Sequence, residues 1–358
     1  MSHLVIMAAG TGGHIIPGLA VATEMQRRGW SVSWLGTRTG MENKLVPKEG
    51  IDVDRIAFAG MRGKGLLGNL LGAIKLLGAF PTCARLLARR RADAVLGMGG
   101  YVCFPGGWMA WLQRRPLLLV NADAALLLSN KALERPARKI AFGFPGAAAA
   151  AMGKKAVVTG NPVRAAIESL PAPAERFAGR EGALRLLVVG GSLGARVLND
   201  CVPQAIALLP ASQRPAVTHQ TGEAGRDGVK AAYAAAGADA EVLAFIDDMP
   251  ERLAACDLIV CRAGAITVSE LCAAGVAAVL VPLIVSTTSH QRDNAEWLAS
   301  RGAGMHLAQA ELSPRRLADL LAGMTRDTLL AMATTARSLA RPHAAARVAD
   351  QIEGLVPA

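Results

Sequence analysis

The feature that most restricts this chain is a unit that recurs along it: a short apolar run, a glycine turn, then a helix-like segment. His3–Ala8 reads as a buried strand, Ala9-Gly10-Thr11-Gly12-Gly13-His14 as the turn, and Gly18–Arg28 as the helix. Trp30–Leu35, Asp93–Leu96 and Leu117–Val120 supply further strands. The series restarts at Leu184–Val189 with Gly190-Gly191-Ser192 behind it, and continues through Val217–Gln220, Glu241–Phe245, Leu258–Val260 and Ala278–Val281. Strands alternating with helices imply parallel α/β sheets, because a parallel neighbour is reached only by a crossover. The 358 residues exceed what one core usually serves, so the restart reads as a second Rossmann-like domain. The turn-rich stretch Thr159-Gly160-Asn161-Pro162-Val163-Arg164 reads as the hinge. Two such domains are expected to gather their strand C-termini, and so their ligand sites, around one cleft.

The first loop leaves a strand and enters a helix, so its N–H groups can face an anion, and its glycines allow close approach. A dinucleotide site needs G-x-G-x-x-G and an acidic residue at the end of the second strand. Here the spacing is G-x-G-G, and the strand ends Leu35-Gly36-Thr37-Arg38 without a carboxylate, so that reading fails twice. His14, at the start of a helix, suits general-base work on a hydroxyl. A second loop, Gly97-Met98-Gly99-Gly100-Tyr101, follows another strand, and the pair suits an extended anion such as a pyrophosphate. In the second series, Ser192 can add a hydroxyl to the loop's amides, Arg262 can neutralise phosphate, and Glu270 can accept from a ribose diol. The D-x-D match Asp52-Val53-Asp54 lies away from these loops and reads as coincidence.

Charge and cysteines narrow the setting. Net charge is +11, and up to Pro162 there are 21 Lys/Arg against 8 Asp/Glu, whereas the remainder holds 18 against 20. Such a basic half attracts an anionic leaflet, where each nearby Lys or Arg contributes about 1 kcal/mol. Nucleic acid is a poorer partner, since two tyrosines offer little stacking surface. Cys83, Cys103, Cys201, Cys256, Cys261 and Cys272 form no C-x-x-C pair, which supports neither zinc nor disulfides and suits a reducing cytosol. Residues 1–9 lack the features of a signal peptide, and no run of about 20 apolar residues is present to span a bilayer. Leu66, Leu67, Leu70, Leu71, Ile74, Leu77 and Phe80 form a shorter apolar stretch, followed by Arg85 and Arg89-Arg90-Arg91, as an interfacial helix would.

Several motifs taken in order carry a resemblance. Gly10-Thr11-Gly12-Gly13-His14, Gly99-Gly100-Tyr101, Gly160-Asn161-Pro162-Val163-Arg164, Gly190-Gly191-Ser192, Ala265-Ile266-Thr267-Val268-Ser269-Glu270 and His290-Gln291-Arg292-Asp293-Asn294-Ala295 closely resemble those of the MurG family. Its members are bacterial peptidoglycan transferases that add N-acetylglucosamine to lipid I. The resemblance covers nearly the whole chain and implies a GT-B fold, two Rossmann-like parallel-sheet domains facing across a cleft. Residues 1–162, with a C-terminal helix at about 341–358, would bind acceptor and membrane, and residues 163–340 the UDP-sugar donor. His14 would be the base. Thr11, Gly12, Gly13, Asp123, Arg164, Ser192, Ile246, Arg262, Ala265, Ile266, Thr267, Val268, Ser269, Glu270 and Gln291 would meet the donor. Gly13, Gly99, Gly100 and Tyr101 would meet the acceptor.

The reaction implied is inverting transfer from UDP-N-acetylglucosamine to the muramyl C4 hydroxyl of undecaprenyl-linked lipid I, giving lipid II. No metal or organic cofactor is expected. The expected setting is peripheral, on the cytoplasmic face of the inner membrane, among other cell-wall synthesis proteins. One departure stands out. Where the family commonly shows His-Glu-Gln-Asn, this chain reads Val120-Asn121-Ala122-Asp123, so Asp123 falls at the family asparagine and the motif's histidine has no counterpart. Two rivals are a related GT-B enzyme with another lipid acceptor, such as a diacylglycerol galactosyltransferase, and a non-catalytic nucleotide-binding protein. The first domain's loops disfavour one, and the joint presence of His14, Glu270 and Gln291 disfavours the other.

Overall fold

The computed structural model describes residues 1–10, 12–57, 65–191, 194–283 and 290–356, with side chains at 65–71 and 73 outside that description. Two compact units result: Met1–Val163 together with Pro342–Ala358, and Arg164–Arg341.

The first unit is built on seven parallel strands: β1 (His3–Ala8), β2 (Ser31–Thr37), β3 (Asp52–Ile56), β4 (Ala94–Gly99), β5 (Leu117–Asn121), β6 (Lys139–Phe142) and β7 (Ala156–Val158). Their order is β3-β2-β1-β4-β5-β6-β7. The two-residue period of β1 sends Leu4, Ile6 and Ala8 into one core and Val5 and Met7 into the other, so the strand is apolar from Leu4 onward. The helix Ala344–Glu353 buries Val348, Ala349 and Ile352 in the first of these cores. Arg28 fastens it with ion pairs to Asp350 at 2.7 Å and Glu353 at 2.6 Å.

The second unit repeats the plan with six parallel strands: β8 (Arg185–Val189), β9 (Ala216–Gln220), β10 (Ala240–Leu243), β11 (Leu258–Cys261), β12 (Ala277–Leu280) and β13 (Met305–His306). Their order is β10-β9-β8-β11-β12-β13. In both sheets the winding reverses between the first and fourth strands. The carboxyl ends of β1 and β4, and of β8 and β11, are therefore the places where a doubly wound sheet binds ligands. The three glycine loops at Gly10, Gly99 and Gly190 follow β1, β4 and β8, and Gly264 follows β11.

One boundary differs from the sequence expectation. The first helix is Gly12–Arg27, not Gly18–Arg28, so Gly12, Gly13 and His14 form its first turn. Pro17 lies inside it, where the missing N–H removes only the bond to the Gly13 carbonyl. In the second unit the helix after the Gly190-Gly191-Ser192 loop is Arg196–Leu208. Thr11 and Ser192 lie outside the described residues.

Candidate active site

In the first unit the two glycine loops interlock. The Ala9 N–H donates to the Gly99 carbonyl at 3.3 Å. Gly100, at φ +88°, leaves no space for a Cβ beside the Ala9 backbone. The His14 ring lies on Gly99: a Cβ there would be 2.6 Å from His14 Cδ2 and 2.8 Å from Nε2. Glycine at this position is therefore required by the ring as well as by a φ of +127°. His14 Nδ1 is buried and meets no partner at full hydrogen-bond geometry. Burial lowers the His14 pKa below its usual value, and the Ala9 backbone and the Asp123 carboxylate oppose that shift. The ring is thus neutral near pH 7, as a proton acceptor must be.

The departure after β5 has a structural account. Asn121 is fully buried, and its Nδ2 donates to the Asp123 carbonyl at 2.8 Å and the Ala125 carbonyl at 3.0 Å. Its Oδ1 accepts from Leu127 N–H at 3.0 Å and Asn130 Nδ2 at 3.1 Å. Asn121 is spent on shaping the turn, and Asp123 is the residue of this turn whose charge reaches His14. Tyr101 is 45% exposed in the turn beyond Gly100.

In the second unit, Gly191 (φ +93°) and Gly194 (φ +74°) shape the loop after β8. Gln220, buried at the end of β9, holds it by donating to the Gly191 carbonyl at 2.9 Å. Ala265–Ala274 is a helix whose first turn leaves the N–H groups of Ala265, Ile266 and Thr267 without intrahelical acceptors. Val268 departs from expectation: its side chain is in the core and its N–H is used by the Gly264 carbonyl at 2.9 Å. Ser269 Oγ donates back to the Ala265 carbonyl at 2.9 Å.

Arg164 Nε donates to Glu270 Oε1 at 2.9 Å, and Nη2 stands 2.8 Å from the same oxygen. Burial raises the Glu270 pKa, and Arg164 opposes that rise. Arg262 also departs from expectation. Its Nη1 is held by the Val281 carbonyl at 3.1 Å and Gln309 Oε1 at 2.8 Å, and burial lowers its pKa. Through Nη1 it braces β11 against the following strand. Ile246 is buried just past β10. Gln291 Oε1 accepts from Leu283 N–H at 2.9 Å.

Among the described residues no three His, Cys, Asp or Glu side chains group to hold a metal ion. None of the described helices is long and apolar enough to cross a membrane. In the helix Gly65–Arg89, Ile74 (59%) and Leu77 (70%) are exposed, while Phe80 packs edge-on against Phe104 at 5.9 Å. The side chains of Leu66, Leu67, Leu70 and Leu71 lie outside the described residues. The expected basic flank is partly neutralised: Arg89 pairs with Asp54 at 2.5 Å, and Arg90 with Asp54 at 2.7 Å and Asp52 at 2.9 Å. That gives the D-x-D segment a structural use.

Glu42 and Gln220 were not singled out from the sequence. Each is a polar residue buried against a glycine loop, and only the fold brings loop and side chain together.

The architecture has known counterparts. The model of the glycosyltransferase family 28 N-terminal domain matches residues 4–142, and that of the C-terminal domain matches residues 185–352. This sets the class as a glycosyltransferase of GT-B fold. A crystal structure of MurG from Acinetobacter baumannii superposes with a TM-score of 0.86 at 38% identity, covering 99% of this chain and 100% of that one. A UDP-N-acetylglucosamine–N-acetylmuramyl-(pentapeptide) pyrophosphoryl-undecaprenol N-acetylglucosamine transferase from Methylibium petroleiphilum is 68% identical over 99% of this chain and 98% of its own length. Its counterpart of the same name in Chromobacterium violaceum is 65% identical over 98% of each. The chain belongs to this transferase family.

Proposed function

We propose that this chain transfers N-acetylglucosamine from UDP-N-acetylglucosamine to the muramyl C4 hydroxyl of undecaprenyl-linked lipid I, inverting the anomeric centre and forming lipid II. Family membership supports the reaction. The observation that supports the mechanism is the neutral His14 ring seated on Gly99 between two glycine loops.

In this reading the first unit handles the acceptor through Gly13, Gly99, Gly100 and Tyr101. As the C4 oxygen attacks the anomeric carbon, its proton passes to His14. The bond from that carbon to the diphosphate breaks, and UDP leaves with the electron pair. The second unit takes up the developing charge. The loop at Gly190–Gly194, including Ser192, and the first-turn amides of Ala265, Ile266 and Thr267 supply N–H donors. Arg164 supplies the cation and Glu270 the ribose contact, with Ile246 and Gln291 at the base and the sugar. Thr11, Gly12 and Asp123 complete the set nearest the transferred sugar. These donors make a metal unnecessary. The exposed Ile74 and Leu77, on a basic unit, suit peripheral contact with the cytoplasmic face of an anionic membrane.

The test is transfer of labelled N-acetylglucosamine onto lipid I, with and without EDTA, by the wild type and by His14→Ala. Expected are wild-type transfer unaffected by EDTA and a loss of about 10² to 10⁴-fold in the variant. No wild-type transfer overturns the reaction, loss with EDTA overturns metal independence, and full activity of His14→Ala overturns the base.

A further inference from the structure

We infer that Glu42 is the positioning residue of the loop that leads to His14, and that its carboxylate reserves this loop for an uncharged hydroxyl in place of a phosphate. The inference rests on the reading of that loop as the acceptor side of the site.

Glu42 opens the short helix Glu42–Leu45 and is fully buried. Its Oε1 accepts from the Thr37 N–H and the Thr37 hydroxyl, both at 2.7 Å, and its Oε2 accepts from the Gly10 N–H at 3.3 Å. A buried carboxylate needs donors of this kind in place of the water it has lost. Two glycines make its room: a Cβ on Gly36 would lie 2.7 Å from Glu42 Cγ, and one on Gly40 would overlap the carboxylate itself.

A glycine loop before a helix ordinarily offers its amides to phosphate. Here the Gly10 amide is already held by a resident carboxylate, and a second anion beside it would meet like charge. From the other side, the Ala9 N–H is tied to the Gly99 carbonyl. The loop is therefore fixed on both sides immediately before the turn that presents His14. At Gly10 the anion-binding role expected of such a loop gives way to one suited to a neutral nucleophile.

Glu42→Gln separates these effects. Its remaining oxygen can serve Thr37, but its NH₂ then faces the Gly10 N–H, donor against donor. On the full chain, with circular dichroism and melting to count folded protein, kcat for transfer is expected to fall about 10²-fold at unchanged KM for UDP-N-acetylglucosamine. Transfer by this variant should also become inhibited by inorganic phosphate, at constant ionic strength, at concentrations that leave the wild type untouched. A merely structural role would not produce that sensitivity. Glu42→Asp keeps the charge and should stay insensitive to phosphate, with an intermediate kcat.

A folded Glu42→Gln with kcat within threefold of the wild type overturns the inference, and so does unaltered phosphate sensitivity. If Glu42→Gln does not fold, Gly40→Ala pushes the carboxylate from Gly10 and is judged by the same kcat criterion. His14→Ala run alongside keeps the two readings apart. Activity in His14→Ala with loss in Glu42→Gln removes the base and leaves the positioning role, and the reverse pattern removes only Glu42.

Discussion

A single methyl group at Gly99 tests how much the His14 seat contributes to turnover. Gly99 ends β4 at φ +127°, where a residue bearing a Cβ is strained by about 1–3 kcal/mol. The added carbon would stand 2.6 Å from His14 Cδ2 and 2.8 Å from Nε2. Ordinary contact between such atoms is roughly 3.5 Å, so the ring must retreat by about 0.8 Å. A shift of that size at a reacting group costs on the order of 10²-fold in rate. For Gly99→Ala we expect kcat to fall by about that factor. The KM for UDP-N-acetylglucosamine should hold, because the donor loops of the second unit are untouched. Backbone strain should lower the melting temperature by roughly 5 °C. The assay is steady-state transfer with donor varied at saturating lipid I, beside a thermal melt. A folded variant with kcat within threefold of the wild type would show that the ring can relax or that its placement does not govern the chemistry.

Three further outcomes follow from the same geometry. Because burial lowers the His14 pKa, the base is neutral above it, so transfer should be level through pH 7–8 and decline only below the ordinary histidine value of about 6.5. A decline already complete at pH 7 would contradict this. His219 is buried against the Tyr233 hydroxyl at 3.0 Å, with its pKa lowered to about 4. The unfolded chain therefore binds the extra proton first, and about 3 kcal/mol of stability, present above pH 6.5, is lost as pH falls towards 4. Denaturant melts of His219→Asn should lack this component, and parallel pH dependence in the two proteins would count against it. Aspartate at both Ile74 and Leu77 should weaken binding to anionic vesicles at least tenfold while sparing UDP binding, since both side chains are already exposed. Unchanged vesicle affinity would remove this patch from the membrane account.

The strands with continuous apolar runs, β1, β5 and β8, were legible because burial on both faces leaves no polar gap. β6, β7 and β13 were not, being two to four residues long and bordered by lysines or small residues. The first helix starts earlier than its sequence indicates, because Gly12 and Gly13 disfavour a helix locally, whereas the interlocked loops and the packed ring of His14 set its start. Charge pairing was the least visible. Asp54 with Arg90, and Arg164 with Glu270, lie far apart in sequence, so each residue reads alone as a solvated charge. The loss of the family histidine after β5 was plain in the sequence. That Asn121 would be consumed by its own turn, leaving Asp123 to act on His14, required the hydrogen bonds.

Asp123 also resolves a tension in the base. The burial that keeps His14 neutral in the ground state opposes the imidazolium that must form as the acceptor hydroxyl gives up its proton. Asp123 acts in the opposite direction, raising the His14 pKa, so its charge favours the protonated ring that the transition state creates. Asp123→Asn keeps nearly the same shape and removes the charge. With burial then unopposed from that side, the His14 pKa falls further, and the acidic limb of the rate profile should move to lower pH. At the same time kcat on the plateau should drop, because a weaker base accepts the proton less readily. Separate causes would not give these two changes together. A simple loss of sugar contacts would raise KM and leave the limb in place, and a disturbed turn would lower folded stability without moving the limb. An Asp123→Asn profile with the wild-type limb and an unchanged plateau would mean that this carboxylate has no part in the chemistry of His14.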